Sequence, residues 1–277
     1  MRRQRRLTTF FICLLLGASM GAHAGPAEDR KALIEYYKQQ LPDIKFENYN
    51  MGALAMNRDA MDQYDSIMTF PPFVLDVDVG RVIWEKPFKN AKHFSDCFPD
   101  GGKNIAGNYP YFDNASGKVV TFENAINACL KANGEAELKY DSREIGLVTA
   151  YAKSLSDGMK VNVKVSGPGA LAAYEKGKQF YYGRRGQLNF SCSICHIDNV
   201  GKFTRSEQLS MMIGQAAHWP EFREGTELLT LQGRFRQCNK NTRSVPLEFN
   251  SEEYNNLEYF LTYMSNGQKM QTPVFRK

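Results

Sequence analysis

Apolar residues Leu33, Ile34, Tyr37 and Leu41 fall on one helical face of the stretch from Pro26 to Leu41, with proline in the first turn and a stop at Pro42. A packed surface helix is expected there. Residues 48 to 73 are rich in Met, Asn, Asp and Pro and sustain no period, so they read as an ordered connection over the surface. Leu75, Val77 and Val79 then alternate with Asp76 and Asp78, which taken alone suggests a short strand. Further on, Ile145, Val148, Tyr151, Ala152 and Leu155 recur at helical spacing as Tyr254, Leu257, Phe260, Leu261 and Met264.

That recurrence belongs to a duplication. Thr121-Phe122 stands eight residues before Cys129, as Thr230-Leu231 stands eight before Cys238. Asp141-Ser142-x-Glu144 matches Asn250-Ser251-x-Glu253 ahead of the closing helices, and Asp157-Gly158 matches Asn266-Gly267 behind them. Upstream, Asn108-Tyr109-Pro110 parallels His218-Trp219-Pro220, and Gly80-x-x-Ile83-Trp84 parallels Gly177-x-x-Phe180-Tyr181. The last pairing favours a helix over a strand at Gly80, because its partner is convincingly helical. The order in each copy is an opening helix, a Cys-bearing turn, an aromatic-Pro corner, a short helix ending in Cys and a closing helix. This resembles class I cytochrome c, which implies a mainly α fold of two tandem cytochrome c-like domains.

Within the second copy, Cys192-Ser193-Ile194-Cys195-His196 has the spacing at which haem c is attached. Two thiols add across the haem vinyl groups, and His196 follows where its imidazole serves as the proximal iron ligand. A zinc ribbon would need a second cysteine pair, and the other thiols are too scattered to supply one. In the first copy Phe94-Ser95-Asp96-Cys97-Phe98-Pro99-Asp100 occupies the equivalent place with one cysteine and no histidine. The expectation is one haem c, carried by the second domain, with the first haemless.

Arg2, Arg3, Arg5 and Arg6 precede the apolar run Phe10 to Leu16, and Ala22-His23-Ala24 is a small-x-small cleavage site. A secretory signal peptide is expected at residues 1–24, removing Cys13 with it. The run is too short to span a bilayer, and no later stretch reaches the roughly 20 apolar residues a span needs. Haem c is attached outside the cytoplasm, so signal and motif agree on the bacterial periplasm. Losing four arginines from the formal charge of +5 leaves +1, and no nucleic-acid partner is implied. The remaining length suits two domains of roughly 100 residues or more, at 25–160 and 161–277.

Five cysteines survive cleavage: Cys97, Cys129, Cys192, Cys195 and Cys238. Two are committed to thioethers. Cys129 and Cys238 occupy equivalent places facing a haem pocket, so in the haemless copy Cys129 can meet Cys97 as a disulfide worth roughly 3 to 4 kcal/mol. Cys238 is then the unpaired thiol, in the domain whose iron has one coordination position unassigned. Met211, Met212, His218 and Met264 compete with it as distal ligand. Met264 matches core Leu155 in the first copy and reads as packing, His218 matches Asn108, and Cys238 is the best candidate. Thiolate ligation would lower the reduction potential, which suits sulfur chemistry. Arg234 lies one helical turn before Cys238 and shares its face, where a guanidinium can stabilise a thiolate or hold a tetrahedral oxyanion. On spacing alone a solvated basic face is the alternative. Arg236 points away, and it and Lys240 are contributors to anion attraction only.

These residues resemble the SoxA family of the Sox sulfur-oxidising system, in its single-haem form. The resemblance covers the whole mature chain. It rests on Gly186-x-x-Asn189-Phe190-Ser191-Cys192-x-x-Cys195-His196, Ala216-x-His218-Trp219-Pro220, Arg234-x-x-x-Cys238, and Asn108-Tyr109-Pro110 with Cys129. It implies an L-cysteine S-thiosulfotransferase that works with a small cytochrome c, SoxX, and joins thiosulfate oxidatively to a cysteine of the carrier SoxYZ. It further implies that Cys238 is both distal ligand and active-site sulfur, commonly a persulfide, with Arg234 as an active-site residue. The first-domain haem motif of two-haem members is absent here, so electrons are expected to leave through SoxX. The competing readings are a plain electron-transfer cytochrome, with Cys238 only an axial ligand, and a haem peroxidase with an open distal position.

Overall fold

The computed structural model describes residues 25–223 and 227–276, so the expected signal peptide lies outside the described residues. Helix α1 spans Pro26–Gln40. The stretch expected to be an irregular connection instead holds a 3-10 segment, Phe46–Met56, and helix α2, Arg58–Thr69, whose N-terminus is capped by the Asn57 side chain accepting from the Ala60 N–H. Tyr64 of α2 is buried and Met61, Ile67 and Met68 are half-buried on the same face, so a helical stripe is present among the polar residues that made the stretch read as a connection. Helix α3, Val74–Glu85, replaces the strand that local alternation suggested and buries Gly80 and Trp84.

The two copies are recognisable in space. In the first, a hairpin of β1 (Tyr111–Asp113) and β2 (Lys118–Val120) leads to α4 (Phe122–Ala132) and α5 (Arg143–Ser154). The second runs from α6 (Pro168–Tyr182) through the haem-motif turn and a small hairpin, β3 (Phe203–Thr204) and β4 (Glu207–Gln208). It continues through β5 (Glu221–Arg223) and β6 (Glu227–Leu229) to α7 (Leu231–Asn241) and α8 (Glu252–Met264). Strand β7 (Val274–Arg276) then adds to β5 in parallel. The repeated signals have the same jobs: Thr121 and Thr230 cap α4 and α7, while Ser142 and Ser251 cap α5 and α8.

In each copy the opening helix packs across the closing one, α3 on α5 and α6 on α8. The crossings are made at glycine. A Cβ on Gly80 would overlap the Leu147 carbonyl, and one on Gly177 the Asn256 carbonyl, so any larger residue would push the backbones apart. Between α3 and α4 the first copy is filled with rings: Trp84 stacks on Phe94 at 5.2 Å and on Phe98 at 5.4 Å, and Phe98 stacks on Phe122 at 5.7 Å. Cys97 and Cys129 are joined as a disulfide beside this stack, with Cα atoms 5.8 Å apart.

One hydrophobic core runs through both halves, from Trp84 to Tyr254. Across the junction, Asn124 Nδ2 donates to Asn250 Oδ1 at 2.7 Å, and the Val161 N–H donates to the Gln268 carbonyl at 2.9 Å. Glu258 of α8 is buried against this junction, accepting from Gln232 Nε2 at 3.2 Å. Burial pushes its pKa up to about 8, with Glu123 adding to the rise and Lys153 opposing it.

Removal of the disulfide in a Cys97→Ala/Cys129→Ala variant is expected to cost about 3 to 4 kcal/mol in denaturant unfolding; a loss below about 1 kcal/mol would show that the aromatic stack alone holds the first half. The Glu258 carboxyl is protonated in the fold over a pH range where it ionises in the unfolded chain. It therefore contributes a loss of stability as pH rises from its ordinary 4.5 towards 8, by at most about 1.4 kcal/mol per pH unit. Glu258→Gln should flatten the stability curve over that range, whereas parallel curves for the two proteins would count against this assignment.

Candidate active site

The haem-motif segment becomes a turn of helix at Ile194–Asp198, and its backbone is tied down from far away in sequence. Tyr37 of α1 is fully buried; its hydroxyl donates to the His196 carbonyl at 2.5 Å and accepts from the Met212 N–H at 2.9 Å. Helix α1 thus packs on the half that carries the haem motif, although in sequence it precedes the other half. Residues 46–56 do the same: Asn50 and Phe46 bond to Gln268 and Lys269, and Gly52 packs on Ser210.

His196 Nδ1 lies 2.8 Å from the Ser210 carbonyl oxygen, which can only accept, so the proton sits on Nδ1 and the Nε2 lone pair is kept. The Gln215 carboxamide lies 2.7 Å from the same nitrogen and 3.0 Å from Ser210 Oγ. Burial drives the imidazole pKa down to about 4, the Ser210 bond opposes this, and the charge of Arg234 adds to it. A neutral imidazole with one nitrogen fixed and the other bare is the form that ligates a metal.

This imidazole faces a largely apolar cavity of about 1330 Å³ including its open mouth. Cys192, Cys195 and His196 line it from the motif turn; Arg234, Phe235 and Cys238 line it from α7. The structure therefore brings together Cys192, Cys195, His196, Arg234 and Cys238 around one cavity. Cys192 and Cys195 are both pushed up by burial, Cys192 to about 11, and Cys238 adds to both rises. Arg234 Nη1 donates to Gln237 Oε1 at 3.2 Å, one turn along its own helix. Met211 and Met212 are fully buried, Met264 packs against Tyr174, and none of the three borders the cavity. Met51 does border it. Arg236 donates to the Leu247 carbonyl and lies over the Phe249 ring at 4.8 Å, and Lys240 is exposed on the surface.

His218 borders the cavity as well, but its Nδ1 is 2.7 Å from Glu221 Oε1, and the other oxygen of that carboxylate, Oε2, pairs with Arg223 at 3.1 Å. Burial lowers the His218 pKa against the pull of Glu221. The residues fit haem c on independent grounds. Among the described residues, the buried Trp219 Nε1 and Tyr181 hydroxyl have no protein partner, and both side chains border the cavity. No group of three or more His, Cys, Asp or Glu side chains is placed to hold a bare metal ion among the described residues.

Arg185, Ser210 and Gln215 had no role in the sequence reading, and Tyr37 entered it only as a packing position of α1. Arg185 Nη1 lies 3.6 Å from Cys192 Sγ, and its guanidinium stacks over the Phe180 ring at 3.8 Å. Its one local signal is proximity to the haem motif, seven residues ahead of Cys192.

Crossed helices that enclose an apolar cavity with a Cys-x-x-Cys-His turn in its wall define a c-type cytochrome. The sequence model of the SoxA/TsdA cytochrome c domain matches residues 79–161 and 176–270. The L-cysteine S-thiosulfotransferase subunit SoxA of Chlorobaculum tepidum is 44% identical over 250 residues, 90% of this chain and 87% of that protein. SoxA of Allochromatium vinosum is 41% identical over 92% of this chain and 91% of its own length. A solved structure, SoxXA from P. pantotrophus, superposes with a TM-score of 0.71 at 28% identity, covering 78% of this chain and 84% of that one. The chain belongs to the SoxA family.

Tyr37→Phe strands two buried backbone groups in the haem-motif half. It is expected to lower unfolding stability by roughly 2 to 4 kcal/mol, measured by denaturant titration; a loss under about 0.5 kcal/mol would mean the turn is held without α1.

Proposed function

We propose that this chain is the haem-bearing subunit of a periplasmic thiosulfate-oxidising L-cysteine S-thiosulfotransferase, with Cys238 as the reacting sulfur and Arg234 as the anion-holding residue. The observation that carries this reading is the shared cavity: an unpaired thiol on α7 faces a haem-attachment turn, with a guanidinium one helical turn away. A plain electron carrier has no need of an arginine beside its distal ligand.

Cys192 and Cys195 would hold haem c by thioethers, and His196 and Cys238 would supply nitrogen and sulfur to its iron. When bound, the haem supplies an acceptor for one electron at a time beside the thiol. Conjugation of thiosulfate to a thiol releases two electrons, so a second redox subunit is required, and SoxX fills that place. The carrier cysteine of SoxYZ is the receiving thiol.

Arg234, oriented by Gln237, offsets the charge of the dianion and holds its sulfonate end with charge-assisted hydrogen bonds. The Cys238 thiolate forms a bond to the terminal sulfur of thiosulfate as two electrons leave to the redox acceptors, giving a Cys238 Sγ–S–SO3 conjugate. The carrier thiolate then attacks that sulfur, takes the S–SO3 group and releases the Cys238 thiolate, an exchange of the thiol-disulfide kind. The apolar walls, including Leu231, Phe235 and Leu257, limit water and so strengthen the attraction between guanidinium and anion.

The first domain, 25–160, is read as haemless and the second, 161–277, as the catalytic unit with the single haem. Rings and a disulfide occupy the interior of the first copy, and the chain has no second Cys-x-x-Cys-His. Residues 1–24 are read as the signal peptide. Among the described residues no helix is long and apolar enough to cross a membrane.

With SoxX and SoxYZ supplied, Cys238→Ala is expected to abolish thiosulfate-dependent electron release, and Arg234→Ala to lower it by about 100-fold or more. Near-normal turnover in Cys238→Ala would instead assign the protein to simple electron transfer.

A further inference from the structure

The geometry points to Arg185 as a second substrate-binding residue, which with Arg234 brackets Cys238 and takes the sulfonate of thiosulfate. This rests on the reading of Cys238 as the reacting sulfur and adds the second half of its anion site.

The loop that carries Arg185 is built onto the end of the Cys238 helix. The Gln187 and Leu188 N–H groups donate to the Arg243 and Thr242 carbonyls, just past the C-terminus of α7. Gly186, at φ 70°, sits against the Thr242 carbonyl, where a Cβ would overlap that oxygen. Reciprocal hydrogen bonds between Arg185 and Phe190 close the loop at its base, at 2.8 and 3.1 Å. Arg185 therefore approaches from the C-terminal end of α7, and Arg234 stands one turn on the N-terminal side of Cys238. Both border the same cavity.

The Arg185 side chain is held ready. Its plane rests on Phe180, one nitrogen donates to the Phe180 carbonyl, and another lies 3.6 Å from Cys192 Sγ. A guanidinium has five N–H donors, and these contacts leave donors over for a ligand. The position also excludes the obvious rival partner. Cys192 marks the vinyl edge of a haem c, and the carboxylates of the macrocycle project from its other edge. An anion met by Arg185 must come from solution. Thiosulfate carries two negative charges, which two guanidiniums match and one does not.

The test uses the haem-loaded heterodimer with SoxX, without carrier, and titrates thiosulfate by calorimetry for wild type, Arg185→Ala and Arg185→Lys. The dissociation constant is expected to rise about tenfold or more in Arg185→Ala and less in Arg185→Lys, with haem content and visible spectrum unchanged. With carrier present, KM for thiosulfate should rise in step while kcat changes less. A dissociation constant within twofold of wild type would overturn the proposal. So would a weakening that tracks loss of haem, which would make Arg185 a support for Cys192. Arg185-dependent binding by a wild-type complex that does not turn over would leave this site standing and sink the assignment of Cys238.

Discussion

Where α6 crosses α8, and again where α3 crosses α5, two backbones touch with no side chain between them, because Gly177 and Gly80 stand at the contacts. That closeness fixes the space left beside each crossing. In the second copy the space opens as a cavity onto which the haem-motif turn and α7 both face. In the first, the same crossing leaves room that Trp84, Phe94, Phe98 and Phe122 fill by stacking. A single architecture thus leaves an open cavity in one copy and a filled interior in the other, and the difference lies in what fills the gap.

The cysteine pair at equivalent helix positions follows the same division. Cys129 on α4 closes on Cys97 and becomes a staple. Cys238 on α7 finds no thiol free to pair with it, since Cys192 and Cys195 are committed to thioethers in the SoxA reading, and so is left to face the iron and the substrate. Two arginines line the same cavity from different elements, one along the Cys238 helix and one from the loop packed on that helix's end. A thiol that shares a pocket walled largely by apolar side chains with two cations is suited to drawing in a small sulfur dianion.

His196 depends on parts of the chain that lie far from it in sequence. Ser210 fixes its Nδ1 proton, Gln215 packs against it, and Tyr37 holds the carbonyl of its turn. The N-terminal helix and the segment at 46–56 are therefore components of the half that carries the haem motif. Tyr37 packs on the His196 turn, and residues 51–54 line the cavity.

Local chemistry is written locally, and the sequence alone determined the parts of this protein that depend on it. The haem-attachment motif, the capping residues of four helices, the glycines at the crossings and the equivalence of Cys129 with Cys238 are all fixed by spacing within one turn or one repeat. The alternation at Leu75 to Val79 misled only when read without its repeat, since an apolar pattern five residues long does not distinguish strand from helix. Helix α2 was legible in the helical spacing of Met61, Tyr64, Ile67 and Met68, but the Asn, Asp and Pro residues around it set the character of the stretch. Only the tertiary structure decided that α1 clasps the haem-motif turn, that Ser210 and Gln215 orient His196, and that Arg185 stands beside Cys192 near Cys238. These are contacts between loops, or across more than 150 residues in the case of Tyr37 and His196. They depend on where the folded backbone carries each side chain, and a linear pattern of polar and apolar residues does not record that.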